Sequence, residues 1–222
     1  MSWESSAEYY RMANELVRDR LGGLHSARLV LLSVDFADVE ALQVAGRWEE
    51  AGALLADAAS RVEAAGADLL VLCTNTMHKV ADQVAAAVDI PLVHLADATA
   101  DAVRRAGHDV VGLLGTAFTM EQAFYRDRLA AHGLTVLVPG DADRATVHRV
   151  IYDELCLGVV SEQSRAAYVA VIERLAAAGA QGVILGCTEI ELLIGPQDSP
   201  VPVFPTTWVH VQAAVDLAMR PW

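Results

Sequence analysis

The chain has 222 residues, 54% of them hydrophobic, and a formal net charge of −13. That length suits one large domain or two small ones, each with enough apolar residues for a core. The acidic balance argues against nucleic acid or an anionic membrane as a partner, since either needs a basic face.

No apolar run reaches the length of a membrane span, and MSWESSAEYYR lacks the pattern of a signal peptide. Three cysteines, Cys73, Cys156 and Cys187, form an odd, sparse set with no disulfide framework, so a cytoplasmic location is expected.

Apolar runs alternate with helical periodicity along the chain, which predicts parallel sheets covered by helices. The first half reads as a helix over 3–20, a strand at Arg28–Val34, a helix over 48–65, a strand at Asp68–Cys73, a helix over 76–88 and a strand at Pro91–His94. The second half reads as a strand at Asp109–Gly115, a helix over 119–132 and a strand at Leu134–Val138. Helices over 143–157 and 162–178 follow, then strands at Gly182–Gly186 and Val201–Phe204. The last helical stretch, Trp208–Met219, has no counterpart within the second half and is expected to return to the first. The predicted domains are therefore 1–96 with 206–222, and 97–205.

One phrase occurs twice. Residues 65–76 read AGADLLVLCTNT and residues 178–189 read AGAQGVILGCTE. Superposing Ala178 on Ala65, an offset of 113, lays Cys187 on Thr74 and not on Cys73. Each copy is an apolar run that ends in small polar residues just before a helical pattern. In open α/β sheets the carboxyl ends of strands are where ligands bind. Two such ends facing each other across a duplicated fold would place two side chains on opposite sides of one small molecule.

The repeat also exposes a gap. Phe124-Tyr125-Arg126 matches Tyr9-Tyr10-Arg11 at an offset of 115, and VVGLLGT directly precedes the helix in the second half. The equivalent strand of the first half would lie upstream of Met1, so the first half is expected to lack its first strand.

The segments MSWESSAEYYR, SVDFADVEAL, LCTNTMHKVAD, VGLLGTAFTMEQ, IYDELCLG and ILGCTEIELL, in this order, resemble the aspartate/glutamate racemase family of pyridoxal-independent amino-acid racemases. The resemblance spans essentially the whole chain. It implies two pseudo-symmetric α/β halves with Rossmann-like parallel sheets, an active site in the cleft between them, and commonly a homodimer. Members usually begin with a strand ending in Gly-Gly before the Met-Ser, in keeping with the gap at the N-terminus.

The resemblance further implies the chemistry. A thiolate takes the α-proton from one face of an amino acid and a group on the other face returns one. A cysteine at a helix N-terminus can have its pKa lowered toward neutrality, which suits it to that task. No cofactor is expected. Most members carry Cys-Asn-Thr in the first half, and here Asn75-Thr76 match the last two residues while Thr74 takes the cysteine's place. The phrase CTNTMHK resembles a Thr/Cys subgroup acting on L-aspartate or L-glutamate. Cys187 is then the expected base and Thr74, through a water if needed, the proton donor. Asn75, Thr76, Thr116 and Thr188 are expected, by resemblance, to bind the substrate's carboxylate and amino group; as residues they are also ordinary helix caps.

Other residues carry simpler readings. Strand alternation aims Cys73 away from Thr74, and it reads as a buried hydrophobe, as does Cys156. Some acidic-substrate members carry a lysine near the position of Cys156, which this chain lacks. GLLGT at 112–116 is too weak a glycine pattern for a nucleotide, Met77 and Met120 read as wall or core, and His78, Lys79 and His210 stay open. The expected activity is racemisation of aspartate, glutamate or a related small amino acid. The alternatives are a related dicarboxylate isomerase or decarboxylase, or a degenerate amino-acid-binding protein.

Overall fold

A computed structural model describes residues 1–220 of the chain. Helix α1 (Trp3–Leu21) starts where the Ser2 hydroxyl accepts the Ser5 backbone N–H and stops at Gly22, whose φ of 74° few other residues adopt. Then come α2 (Phe36–Val44), α3 (Trp48–Ala64), strand β1 (Leu70–Val71), a 3-10 turn at Thr76–Val80, α4 (Ala81–Ala85) and strand β2 (Leu92–Val93). The later elements are α5 (Leu95–Arg105), β3 (Val110–Gly115), α6 (Ala117–Glu121), α7 (Ala123–Ala131), β4 (Thr135–Leu137), α8 (Asp141–Asp153) and α9 (Glu162–Ala177). Strands β5 (Gly182–Gly186) and β6 (Val203–Pro205) precede helix α10 (Thr206–Ala218).

The chain divides into two units, Met1–His94 with His210–Trp222, and Leu95–Val209. The second unit is a four-stranded parallel sheet in the order β4-β3-β5-β6. Its central strands are buried along nearly their whole length, as VVGLLG and GVILG require when helices cover both faces. On one face Leu114, Val183 and Leu185 pack with Val150, Tyr168 and Ile172. On the other, Leu113 and Ile184 pack with Leu95, Val103 and Tyr125.

The first unit is built to the same scheme but its sheet is smaller. Among its described residues only β1 and β2 pair, in parallel, over two residues each. Val39, Leu55, Leu70, Leu72 and Met77 form one core. Tyr9, Leu16 and Val17 of α1 pack on Val211 and Val215 of α10, so the last helix does return to the first half.

Several elements depart from the sequence reading. Among the described residues, 28–34 form no strand and pair with none; Leu29, Val30 and Leu31 remain 40%, 45% and 50% exposed. The single helix expected over 76–88 is a 3-10 turn followed by the short α4. The helix expected over 119–132 breaks at Gln122, which has extended backbone, into α6 and α7. Helices α2 and α5 are additional. In α5 the buried face is made of Leu95, Ala96, Thr99, Ala100 and Val103, at helical spacing opposite the charged Asp101, Arg104 and Arg105, a pattern the sequence reading passed over.

Candidate active site

Strands β3 and β5 are neighbours in parallel register, with Gly115 paired to Gly186. The chain leaves β3 toward β4 on one side, whereas β5 and β6 lie on the other. This reversal of strand order is a topological switch point, the place where open α/β sheets bind ligands at their carboxyl ends. Thr116 and Cys187 are the residues that follow the two paired glycines. Both glycines are required by close approach: a Cβ on Gly186 would stand 2.7 Å from the Leu114 carbonyl oxygen.

Thr116 caps α6, its hydroxyl accepting the Thr119 N–H at 3.3 Å. The next residue, Ala117, donates its N–H to His148 Nδ1 at 3.1 Å. That bond leaves the imidazole proton on Nε2, and burial lowers the His148 pKa. Cys187 immediately precedes the 3-10 turn Thr188–Leu192 and packs against the apolar cluster around Tyr168 and Ile190. Its thiol donates to the carboxylate of Glu189, with Sγ 2.9 Å from Oε2. Burial first, and the Glu189 charge second, push the Cys187 pKa well above the ordinary thiol value. The expectation that a helix N-terminus lowers this pKa is therefore corrected. A five-residue 3-10 turn offers a weak dipole, and a buried carboxylate at hydrogen-bond distance outweighs it. Glu191, in the same turn, accepts the Thr207 N–H at the start of α10, 2.9 Å away.

In the first unit, Thr74, Asn75 and Thr76 are brought together at the carboxyl end of β1, all three buried. The Thr74 carbonyl accepts from His78 Nδ1 at 2.6 Å. His78 makes edge contacts with His94 and His210, with ring centroids 4.6 Å and 5.7 Å apart. His210 Nε2 donates to the Val93 carbonyl at 2.7 Å, so its Nδ1 accepts from the Tyr9 hydroxyl at 2.8 Å. Burial holds the His210 pKa down at about 4, which keeps this imidazole neutral. Cys73 points elsewhere, packing against the cluster of Tyr9, Leu16 and Val211, and burial pushes its pKa up to about 11.

The second unit thus brings together Thr116, Cys187 and Thr188, and the first brings together Thr74, Asn75 and Thr76. Cys156 packs against the core cluster that also includes Cys187. Met77 and Met120 are fully buried. Sequence reasoning missed Glu189 and His148 and left His78 open. The signal for Glu189 was present in Cys-Thr-Glu, because two residues is a short enough step for a carboxylate in a tight turn to fold back onto the thiol. No cluster of three or more His, Cys, Asp or Glu able to hold a metal is found among the described residues, nor any helix long and apolar enough to span a membrane.

Residues 1–214 match the model of the Asp/Glu/Hydantoin racemase family. The chain belongs to this family. Among solved structures, one of a Yersinia pestis protein with a proposed Asp/Glu racemase assignment is 55% identical, covers 99% of this chain and 96% of its own, and superposes with a TM-score of 0.92. An aspartate racemase homologue from Pyrococcus horikoshii is 33% identical over 98% of this chain and 95% of its own, with a TM-score of 0.86. The Picrophilus torridus aspartate racemase shares the fold at 17% identity and a TM-score of 0.76, over 96% of this chain and 89% of its own. By its family the protein is an enzyme, a racemase.

Proposed function

We propose that the protein racemises aspartate, glutamate or a related small amino acid without a cofactor, with Cys187 as the base on one face and Thr74 as the proton donor on the other. The observation that carries this reading is the placement of Cys187 beside Thr116 at the switch point of the second sheet. A threonine hydroxyl has no pKa near neutrality, so the two faces are chemically unequal.

The resting thiol is protonated, and its proton already points at Glu189. Arrival of the substrate ammonium would favour the thiolate, and Glu189, at hydrogen-bond distance, is the acceptor through which the proton would leave. The thiolate would then remove the α-proton, leaving a carbanion whose carboxylate is held by backbone N–H groups and by the hydroxyls of Thr116 and Thr188. Asn75 and Thr76 would hold the substrate from the first unit. Reprotonation from Thr74, by way of water if needed, gives the antipode; return of a proton from Cys187 gives exchange with retention. A cytoplasmic homodimer acting on free amino acids completes the proposal.

The test is α-hydrogen exchange in heavy water across a panel of L- and D-amino acids. Exchange with aspartate or glutamate that disappears in a folded Cys187→Ala variant supports the reading. Exchange that survives in Cys187→Ala, or release of carbon dioxide from a dicarboxylate in its place, would overturn it.

A further inference from the structure

Thr74 lies just past the end of β1, outside any helix or strand, yet the peptide groups on both sides of it are held. On the N-terminal side its N–H donates to the Leu72 carbonyl at 2.7 Å, closing a three-residue turn centred on Cys73. The carbonyl of that same peptide, on Cys73, accepts the Ser5 hydroxyl of α1 at 3.2 Å. On the C-terminal side the Thr74 carbonyl accepts from His78 at 2.6 Å. A carbonyl oxygen only accepts, so His78 carries a proton on Nδ1.

Two fixed peptide planes fix the Cα–Cβ direction of the residue between them, and a β-branched side chain then has few rotamers open to it. The aim of the Thr74 hydroxyl is therefore a consequence of these backbone bonds. The plane before Thr74 is held by backbone and by α1, whereas the plane after it is held by a single side chain. That side chain is itself braced. His78 is buried in the 3-10 turn Thr76–Val80, beside the fully buried Met77, and its backbone N–H donates to the Asn75 carbonyl at 3.1 Å. The rings of His94 and His210 stand edge-on to it, and His210 is tied at both nitrogens, to Tyr9 and to Val93. Packing alone does not call for an imidazole here, because burying a polar ring costs free energy that an apolar side chain avoids.

We propose that His78 is a positioning residue for the proton return: it holds the Thr74 hydroxyl in line with the substrate carbanion and so sets how often a turnover ends in inversion. The inference rests on the proposed function and concerns the Thr74 face alone. With the Thr74–Asn75 peptide released, the hydroxyl spends less time in line, and the carbanion is reprotonated from Cys187 instead. Inversion and retention divide one carbanion. Their ratio does not depend on how tightly the substrate binds or on how much of the protein is folded.

The test follows L-aspartate and L-glutamate in heavy water and reads the ratio of D-product formed to α-deuterium gained with retention. His78→Asn keeps an N–H donor at the same number of bonds from Cα as Nδ1, His78→Gln carries its donor one bond further out, and His78→Leu has none. The ratio is expected to fall by about tenfold in His78→Leu and His78→Gln and to stay close to that of the unmodified chain in His78→Asn. Equal losses of inversion and retention in the leucine and glutamine variants would overturn the proposal, since a purely structural role acts on both. An asparagine variant no better than the glutamine one would overturn it as well. Should His78→Leu not fold, the asparagine and glutamine variants decide by the same comparison. If the unmodified protein exchanges no α-hydrogen, or exchanges it and forms no D-product, the proposed function falls and this inference with it. Exchange and inversion in the unmodified protein with the same ratio in every variant would remove this inference alone.

Discussion

The Cys187 thiol donates to the Glu189 carboxylate across 2.9 Å, so the proposed base of this enzyme rests with its proton already directed at an acceptor. Two effects oppose each other there. The carboxylate charge makes the thiolate harder to form, yet the same carboxylate is the group that can carry the proton away.

Replacing Glu189 with glutamine separates the two. In Glu189→Gln the negative neighbour is gone, so the Cys187 pKa should fall, read as a lower midpoint in the pH dependence of thiol alkylation. Exchange with substrate should fall also, by about 10²-fold, the usual contribution of a positioned proton acceptor. A variant with the lower thiol pKa and undiminished exchange would show that Glu189 only hinders ionisation.

Cys73 is predicted to matter for stability and not for turnover. Cys73→Ala should cost about 1 kcal/mol and retain most of the α-hydrogen exchange. Its thiol also gives an alkaline signature. The folded pKa of about 11 lies above the unfolded value near 8.5, so the neutral form favours folding. That contribution is complete below the unfolded pKa and is lost as pH rises toward 11. Denaturant titrations over this window should show a shallower decline in Cys73→Ala. An inactive but well-folded Cys73→Ala would make Cys73, not Thr74, the group opposing Cys187.

His210 gives the mirror case on the acid side. Burial depresses its folded pKa to about 4, below the unfolded value near 6.5. Its contribution to stability is present above 6.5 and is lost as pH falls through 4, by up to about 3 kcal/mol at 1.4 kcal/mol per pKa unit. His78 and His94 face it and Tyr9 is bonded to it. His210→Gln keeps one donor for Val93 and one acceptor for Tyr9 and should flatten the loss between pH 6.5 and 4. An unchanged slope would place the titrating group elsewhere.

The inequality of Thr74 and Cys187 should appear in isotope exchange. A racemase has an equilibrium constant of one, so kcat/KM must match for the two antipodes. Retention, however, needs only Cys187. L-Aspartate or L-glutamate in heavy water should therefore gain α-deuterium faster than it becomes D-product, with little exchange from the D side. Thr74→Cys should narrow that gap by supplying a thiol better matched to neutral pH. Equal exchange from both antipodes, tracking inversion one for one, would require a second efficient base and remove Thr74 from that role.

Strand identity was legible where strands are buried on both faces. VVGLLG and GVILG are continuous apolar runs bounded by glycine, and their observed limits, Val110–Gly115 and Gly182–Gly186, follow that pattern closely. Arg28–Val34 is comparably apolar and is not a strand. A β-strand is defined by its hydrogen-bonded neighbour, which is a property of the sheet and not of the segment. Helix α5, by contrast, was legible and passed over: Leu95, Ala96, Thr99, Ala100 and Val103 recur at helical spacing against a charged opposite face.

The sequence by itself determined the parallel α/β class and the family, since apolar period, repeat and motif are all local or periodic along the chain. Tertiary structure alone decided the surroundings of Cys187 and His210. It brought Glu189 back onto Cys187 and gathered His78, His94 and His210 around one another. Charge, desolvation and strand pairing act through space over a few ångströms, and the chain order does not record which groups will come that close.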